Sequence, residues 1–313
     1  MLRFIVRRIA LAFVQIILVM TLVFLLLRIM PGDPAVLALG TDHVMDVEAV
    51  ESMRSQLGLD KPIWEQYVSW MGDAFKLDLG SSTRDGTSVI REIGLRFPRT
   101  LELVVCAVVL ASILGVSLGV ISALKRNSAL DRILTSISAM GISLPVYVLG
   151  TMLIMLFSIH LRWLPSGGFI AYAKDPMKHL LRLILPSVTI ALGPAASVAR
   201  MTRSAMLETL EKDYIKTLRA KGVRESRIIL KHALRNAILP VITTIGLQFG
   251  NLIGGTVLVE NLFTWPGINT LLVTSISMRD YPMIQGCVLC VALFYILINL
   301  IVDVLYRVLD PRI

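Results

Sequence analysis

Two cysteines separated by two residues have the most obvious spacing for chemistry in this sequence. Cys287 and Cys290 form a C-x-x-C pair, which is the spacing of a redox pair or of half a zinc site. The pair lies in an apolar stretch with no histidine or acidic residue beside it. We therefore interpret both cysteines, and Cys106, as small packing side chains. The four histidines are scattered along the chain and predict no metal cluster.

The sequence gives little support for proton transfer or for nucleotide chemistry in this chain. We interpret Asp303 as the only clear acidic residue within a predicted span. It lies four residues after Asn299, and this spacing favours a hydrogen-bonding pair at a helix end over a proton relay. The sequence has no G-x-x-x-x-G-K-[ST] phosphate loop and no constellation for nucleophilic or metal catalysis. These features predict a non-catalytic chain without a cofactor of its own.

A basic segment at 200–235 is the strongest remaining candidate for a functional site. It carries ten lysines and arginines against four acidic residues, between two long apolar runs. It predicts helix, turn and helix, with Gly222 in the left-handed conformation that ends a helix and Ser226 capping the next one. A short charged helix at the cytoplasmic surface suits docking on a soluble partner. The alternative is a loop that only fixes topology and touches anionic lipid.

The composition shows which elements must position this segment. The chain is 55% hydrophobic and 17% charged, with a mean hydropathy of +0.74, which is too apolar for a soluble protein of 313 residues. Because an open sheet cannot satisfy its backbone in lipid, we predict an all-α polytopic membrane protein with six transmembrane helices, each long enough for a core of about 30 Å. The predicted spans are Ile9–Ile29, Leu101–Leu124, Leu134–His160, Leu183–Ala199, Ile238–Val259 and Ile284–Tyr306.

The distribution of positive charge predicts the orientation. Eighteen of the 31 lysines and arginines fall before the first span, in 125–132, in 200–235 or after Tyr306. Residues 31–97 have instead six basic and eleven acidic residues. The positive-inside rule places both termini in the cytoplasm. The first span could be mistaken for a signal peptide, but its apolar run is too long and Met30–Pro34 is a poor cleavage site.

These patterns divide the chain into three regions. Residues 1–30 are the cytoplasmic N-terminus and first span, 31–97 are an outer region with short amphipathic helices, and 98–313 are the membrane core with the cytoplasmic loop 200–237. Within the outer region, Val47–Leu57 and Ile63–Phe75 have helical spacing. The aromatic face of the second helix (Trp64, Tyr67 and Trp70) could rest at the lipid headgroups or form part of a cap over the bundle.

Small residues and prolines predict how the spans pack and bend. Glycines and alanines repeat every four residues in two spans, which lets helix backbones approach closely within this chain or with a second subunit. They are Ala107, Ala111, Gly115, Gly119 and Ala123 in the second span and Gly246, Gly250 and Gly254 in the fifth. Pro145, Pro186 and Pro194 can kink the third and fourth spans.

A series of motifs in a fixed order carries a resemblance to a known family. In the basic segment they are the run Asp213-Tyr214-Ile215-Lys216-Thr217-Leu218-Arg219-Ala220-Lys221-Gly222, the run His232-Ala233-Leu234-Arg235-Asn236-Ala237, and Pro240. Elsewhere they are Met30–Pro34, Gln56–Asp60 with Pro62, Arg162–Pro165, Ile184–Ser187, Gly254-Gly255, Glu260, Trp265–Gly267, Arg279–Pro282 and Asp310–Arg312. The sequence thereby resembles the inner-membrane permease subunits of ABC importers of the dipeptide, oligopeptide and nickel family.

The resemblance implies a type I ABC importer permease fold in a bacterial inner membrane. It implies one of two related permease subunits, with two cytoplasmic ATPase subunits that bind ATP and Mg²⁺ and an outer solute-binding protein. The helix at about 213–222 would be the coupling helix, seated in a groove of an ATPase subunit. Lys216-Thr217-Leu218 stands where the general importer signature has Glu-Ala-Ala. No nucleic-acid partner is implied.

The substrate class follows less directly from the sequence than the fold does. The absence of a His/Met/Cys array along a span favours di- and oligopeptides, and the same architecture could import nickel, a metal chelate or glutathione. A stand-alone channel or an ion-coupled carrier is the alternative from a different class.

Overall fold

The computed structural model describes residues 2–29, 36, 47–56 and 58–309. Leu57 and the motifs Met30–Pro34 and Asp310–Arg312 lie outside the described residues. Over the described part, the chain is almost entirely helical, and an isolated antiparallel bridge joins Ser81 and Ser88. The predicted all-α class is confirmed.

The described residues fold into a series of helices, named in chain order. The α-helices are α1 (Leu2–Ile29), α2 (Val47–Gln56), α3 (Ile63–Phe75), α4 (Val89–Leu124), α5 (Ala129–Ser143), α6 (Val146–Leu153), α7 (Pro176–Leu210), α8 (Asp213–Ala220), α9 (Glu225–Arg227), α10 (Leu234–Gly255), α11 (Val257–Leu262), α12 (Ile268–Met278) and α13 (Tyr281–Leu309). Two π-helices continue them, π1 (Ile154–His160) after α6 and π2 (Ile228–Ala233) between α9 and α10.

Five of these helical segments are long and apolar enough to cross a membrane. A sixth span requires α5 and the α6–π1 segment to be counted together, and these two are bent by 109° at their junction. The predicted span Leu134–His160 is therefore not a single straight helix. Pro145 is the N-terminal cap residue of α6 and Leu144 before it is extended (ψ 130°), because proline disfavours a helical conformation in the residue that precedes it.

The chain divides into two compact units, whose boundaries fall after Arg99, between Trp265 and Pro266, and after Leu297. The first unit comprises residues 1–99 and 266–297, and the second comprises residues 100–265 and 298–313. Helix α4 begins at Val89, so the predicted second span is the later part of a longer helix.

In the first unit, α3 packs against α1 through aromatic rings. Phe24 lies 5.3 Å from Tyr67 and 5.9 Å from Trp70 between ring centroids, and Tyr67 Oη is hydrogen-bonded to Thr21 Oγ1 at 2.7 Å. Trp64 is 64% exposed. The predicted aromatic face is thus divided: two rings pack inside the unit and one faces outward.

The cysteine pair is part of the apolar packing of this same unit. Cys287 is buried in a cluster with Val89, Ile268 and Met283, and Cys290 packs at its edge. All three cysteines are free thiols. The interpretation of Cys287 and Cys290 as packing residues is confirmed.

In the second unit, the small-residue ridge of α4 faces α7. A Cβ atom added to Gly115 would lie 2.6 Å from Val198 Cβ, and one added to Gly119 would lie 2.6 Å from the carbonyl oxygen of Ala199. Such distances are well inside van der Waals contact. The close backbone approach predicted for this ridge is confirmed within the chain.

Candidate functional site

The centre of the predicted site is α8, a separate short helix on the second unit. Its eight residues follow α7 after a break at Glu211 and Lys212. The helix is therefore separate from the fourth span and does not continue it directly. The Glu211 amide still donates to the carbonyl of Leu207, and the Lys212 amide to that of Thr209, so the chain turns tightly between the two helices.

Gly222 ends α8 as predicted. Its φ of +73° is in the left-handed region, its amide donates to the carbonyl of Arg219 at 2.9 Å, and the amide of Val223 donates to the carbonyl of Leu218 at 3.1 Å. This pair of bonds is the Schellman motif, which satisfies the last carbonyls of a helix. A Cβ atom at Gly222 would meet nothing within 4 Å among the described residues. Glycine is therefore favoured at position 222 because of its left-handed backbone conformation. A larger side chain would have room there beside the described residues.

Ser226 does not cap the next helix, and the prediction that it would is wrong. Helix α9 begins at Glu225, its cap residue is Arg224, and no side chain at that cap bonds to the free amides. Ser226 is the second residue of the helix and is exposed. Glu225 occupies the first turn instead, where a carboxylate favours the positive end of the helix dipole.

One face of α8 is anchored in the protein. Ile215 is fully buried (0% exposed) in an apolar cluster, and Leu218 packs at its edge together with Val223 from the turn. The other buried members of the cluster are Ala123, Ala205, Met206, Ile228, Ala233 and Ala237. They come from the ends of α4 and α7 and from π2 and α10. The cluster therefore fastens α8 to the helices on both sides of it in sequence.

Polar contacts reinforce this attachment. Asn236 Nδ2 donates to Tyr214 Oη at 2.9 Å and to the carbonyl oxygen of His232 at 2.9 Å. Tyr214 Oη also lies 3.5 Å from that carbonyl. The structure thus brings together Tyr214, His232 and Asn236, which the sequence separates by up to 22 positions. Arg235 is exposed beside them.

The opposite face of α8 is charged and exposed. It presents the remaining predicted site residues, namely Asp213, Lys216, Thr217, Arg219, Ala220 and Lys221. Lys216 Nζ lies 2.8 Å from Asp213 Oδ1, and Arg219 Nη2 lies 2.7 Å from Glu225 Oε1. The hydrogen bond from Lys216 lowers the pKa of Asp213 and raises that of Lys216, and the bond to Glu225 raises the pKa of Arg219. All three side chains are therefore charged at neutral pH.

The other predicted packing residues have different surroundings. A Cβ at Gly246 would lie 2.6 Å from Val302 Cγ2, and Gly250 is buried. A Cβ at Gly254 would meet nothing within 4 Å in the described part of the chain. Gly246 thus makes the close approach expected of it, whereas contact of Gly254 with a second subunit stays a prediction. Helix α7 runs through both Pro186 and Pro194.

Two acidic side chains make internal hydrogen bonds that the sequence did not predict: Glu102 was overlooked, and Glu260 was named only as one of the family motifs. Glu102 lies within α4, and its Oε1 is 2.7 Å from Nε2 of His179, whose Nδ1 is 2.7 Å from the carbonyl oxygen of Ile170. Glu260 is fully buried, and Thr100 Oγ1 donates to it at 2.5 Å. Asp303 is thus not the only acid among the spans. Glu102 could have been found, because it is the second residue of the predicted span Leu101–Leu124.

Metal binding has no geometric support within the described residues, where no three His, Cys, Asp or Glu side chains come close enough to share an ion.

The fold and this surface together define a class: a polytopic membrane subunit that presents a short, firmly anchored, charged helix. Comparison with known proteins agrees. The family model "binding-protein-dependent transport system inner membrane component" matches residues 115–313, and the model of its N-terminal region matches residues 1–104. The chain belongs to this family and is a permease subunit of an ABC importer, an inner-membrane component that spans the bilayer.

Named relatives match over the whole length of the chain. It is 44% identical over 313 residues to the glutathione transport system permease protein GsiC of Pectobacterium atrosepticum and to that of Escherichia coli K12, covering 100% of this chain and 99% of each relative.

Solved structures support the type I permease fold. Two inward-facing structures of the MetNI methionine ABC transporter match with TM-scores of 0.54 and 0.58 at 18% and 20% identity. The matches cover 71% and 70% of this chain and 96% of each of those chains. At this identity the likeness concerns the fold alone.

Proposed function

We propose that this chain forms half of the translocation pore of an ATP-driven importer of short peptides, with α8 as its coupling helix. The assembly would contain a second homologous permease subunit, two cytoplasmic ATP-binding subunits and an outer solute-binding protein. ATP and Mg²⁺ would bind in the ATPase subunits and not in this chain. Peptides are the substrate class we favour, and glutathione, itself a tripeptide, is the first cargo to test because full-length relatives are named for its transport.

The observation that carries the proposal is the burial of Ile215. A docked helix transmits movement only if it is rigidly attached to the helices that must move. The apolar cluster around Ile215 connects α8 to the ends of α4 and α7 and to the start of the π2–α10 segment. A displacement of α8 by a moving ATPase would therefore displace these helices with it. The exposed residues of α8 remain available for the ATPase groove.

The same proposal implies how the chain is oriented in the membrane. The ATPase subunits are cytoplasmic, so α8 and the 125–132 loop would lie on that side, with both termini. The excess of lysine and arginine in these segments supports this arrangement.

Substitution of Gly222 tests the coupling role. Proline fixes φ near −65°, whereas Gly222 has a φ of +73°, so Gly222→Pro must rearrange the end of α8. We expect the variant to insert and to assemble with its partners but to lose peptide-stimulated ATP hydrolysis in nanodiscs. Gly222→Ala is the matched control, because it keeps the turn at a cost of about 1–2 kcal/mol and should retain partial coupling. Wild-type stimulation of ATPase activity in Gly222→Pro would sink the proposal.

Membership of the importer family argues against the alternative from a different class, an ion-coupled carrier, and the Glu102–His179 pair is the observation in its favour. Such a carrier would need no ATPase subunits. Uptake of labelled glutathione or dipeptide into liposomes that contain only the purified chain, driven by a proton gradient, would establish this alternative. ATP-dependent uptake by the assembled complex alone supports the importer.

A further inference from the structure

A cavity within the first unit has the lining of a small ligand site. It has a volume of about 270 Å³ and lies between the end of α1, helix α3, the 78–83 segment and the start of α13. This volume is close to the lower end of the range typical of small-molecule pockets. The side chains that matter for its chemistry are Phe24, Arg28, Trp70, Asp73, Asp78 and Tyr281.

Two of the residues that line the cavity each carry a buried donor with no hydrogen-bond partner among the described residues. They are the hydroxyl of Tyr281, a residue that is 7% exposed, and the Nε of Arg28. Buried donors are almost always satisfied in proteins, because an unpaired one loses its bonds to water without replacement. Two such residues around one cavity point to an acceptor with more than one oxygen as the group that would satisfy both.

Arg28 is held in position for this role. Its Nη2 donates to Gln66 Oε1 at 2.5 Å, and its Cζ lies 5.0 Å from the centroid of the Phe24 ring. The guanidinium is therefore held by a hydrogen bond from Nη2, which lies on the same edge as Nε, and by a cation–π contact. A guanidinium N–H and a phenol hydroxyl are a common pair of donors for a carboxylate.

The charge pattern of the cavity distinguishes a zwitterion from a simple anion. Asp73 and Asp78 also line it and are exposed, with Asp78 Oδ1 accepting from the amide of Gly80 at 3.0 Å. These carboxylates repel phosphate or a dicarboxylate and attract an ammonium group. The rings of Phe24 and Trp70 supply an apolar wall between the acidic and basic ends.

We propose that this cavity binds a small zwitterion, with its carboxylate at Arg28 and Tyr281 and its ammonium group at Asp73 and Asp78. The ligand class is a free α-amino acid or a dipeptide with both termini unmodified. A role for the site in import rests on the proposed function, because peptide cargo would then meet this cavity on the permease. Binding itself does not depend on that function.

The test is ligand binding to the full-length chain in nanodiscs without ATPase or binding protein. Saturation-transfer NMR compares alanyl-alanine with its C-terminal amide, its N-acetyl derivative and inorganic phosphate. We expect alanyl-alanine to bind, and each blocked derivative and phosphate to bind at least about tenfold more weakly, since each loses a charge-assisted interaction. Equal binding of the amide and the free peptide overturns the proposal.

Tyr281→Phe tests the assigned donor without disturbing the fold. The hydroxyl has no partner among the described residues, so its removal should leave the melting temperature unchanged or raised while weakening alanyl-alanine binding about tenfold. Tyr295→Phe, an exposed tyrosine on the same helix, is the matched control and should bind normally. Unchanged binding in Tyr281→Phe overturns the assignment.

Failure of this site and failure of the proposed function give different results. If the assembled complex takes up peptide with ATP but the chain shows no terminus-dependent binding, the ligand site is refuted and the importer proposal stands. If terminus-dependent binding is present and Tyr281→Phe weakens it, but the complex takes up no peptide, the ligand site stands and its role in import is refuted.

Discussion

The guanidinium of Arg203 on α7 donates two parallel hydrogen bonds to the carboxylate of Asp131 on α5, from Nε to Oδ1 and from Nη2 to Oδ2, both at 2.9 Å. The Asp131 side chain is 6% exposed and also accepts from Ser122 Oγ and from the amide of Asn127. One carboxylate therefore joins the end of α4, the following turn, α5 and α7 at a single point.

Removal of Arg203 should be costly for this reason. We expect Arg203→Ala to lower the free energy of unfolding by about 2–3 kcal/mol, because a buried carboxylate loses its charged partner. A double-mutant cycle with Asp131→Asn, measured by denaturation in mixed micelles, should give a coupling energy of at least about 1 kcal/mol. Arg126→Ala is the control: its pair with Glu211 is exposed on both sides and should contribute less than about 1 kcal/mol. Equal effects at both sites would contradict this ranking.

The glycines of α4 give a second prediction. Gly115→Ala and Gly119→Ala each place a methyl group within 3 Å of α7, and we expect a loss of about 1–3 kcal/mol of stability from overpacking. Gly254→Ala meets open space among the described residues and should be neutral or stabilise its helix by up to about 1 kcal/mol in the isolated chain. If Gly254→Ala destabilises only the assembled complex, Gly254 packs against a second subunit.

The Glu102–His179 pair gives a third prediction. His179 has a side chain that is 2% exposed, so Glu102→Ala leaves a buried ring nitrogen without its partner. We expect a loss of about 1–3 kcal/mol, seen as a lower melting temperature. Glu102→Gln offers an amide that can donate to the neutral imidazole and should recover most of the loss. A Gln variant as unstable as the Ala variant would mean that the pair needs its charge.

The exposed face of α8 gives a fourth prediction, by cross-linking. A cysteine at Thr217 should form a disulfide or bismaleimide link with an ATPase subunit in the assembled transporter, because Thr217 is on the proposed docking face. Ile215→Cys is the matched control, since that side chain is buried and should not react. The native cysteines contribute little background because none is exposed. A link from position 215 in place of 217 would show that the docking face is reversed.

Features that depend on one residue's backbone chemistry could be predicted from the sequence. The left-handed turn at Gly222 and the break at Pro145 each follow from a residue that determines its own dihedral angles or those of a neighbour. The small-residue ridge at Gly115 and Gly119 could be predicted because its spacing is the period of a helix face.

Features that depend on partners distant in sequence could not be predicted. The 109° angle between α5 and the α6–π1 segment cannot be derived from Pro145, because proline fixes only where the bend occurs. Ser226 has the residue type of a cap but lies one position inside the helix, since the helix starts at the acidic residue before it. Likewise, nothing local in the sequence reveals that Asn236 reaches Tyr214, or that Thr100 satisfies Glu260.

The two faces of α8 have separate roles. The face with Ile215 packs in the apolar cluster, with Leu218 and Val223 from the turn beside it, whereas the charged residues of α8 lie outside this apolar cluster. The short breaks at Glu211–Lys212 and Lys221–Arg224 bound the helix on either side. Segment 211–224 is therefore a separable unit: a homologous segment that keeps apolar residues at positions 215, 218 and 223, and the tyrosine at 214 that bonds to Asn236, should pack in the same place. If α8 docks on an ATPase subunit as proposed, related subunits can diverge in the ATPase they bind without any change in their membrane-spanning helices.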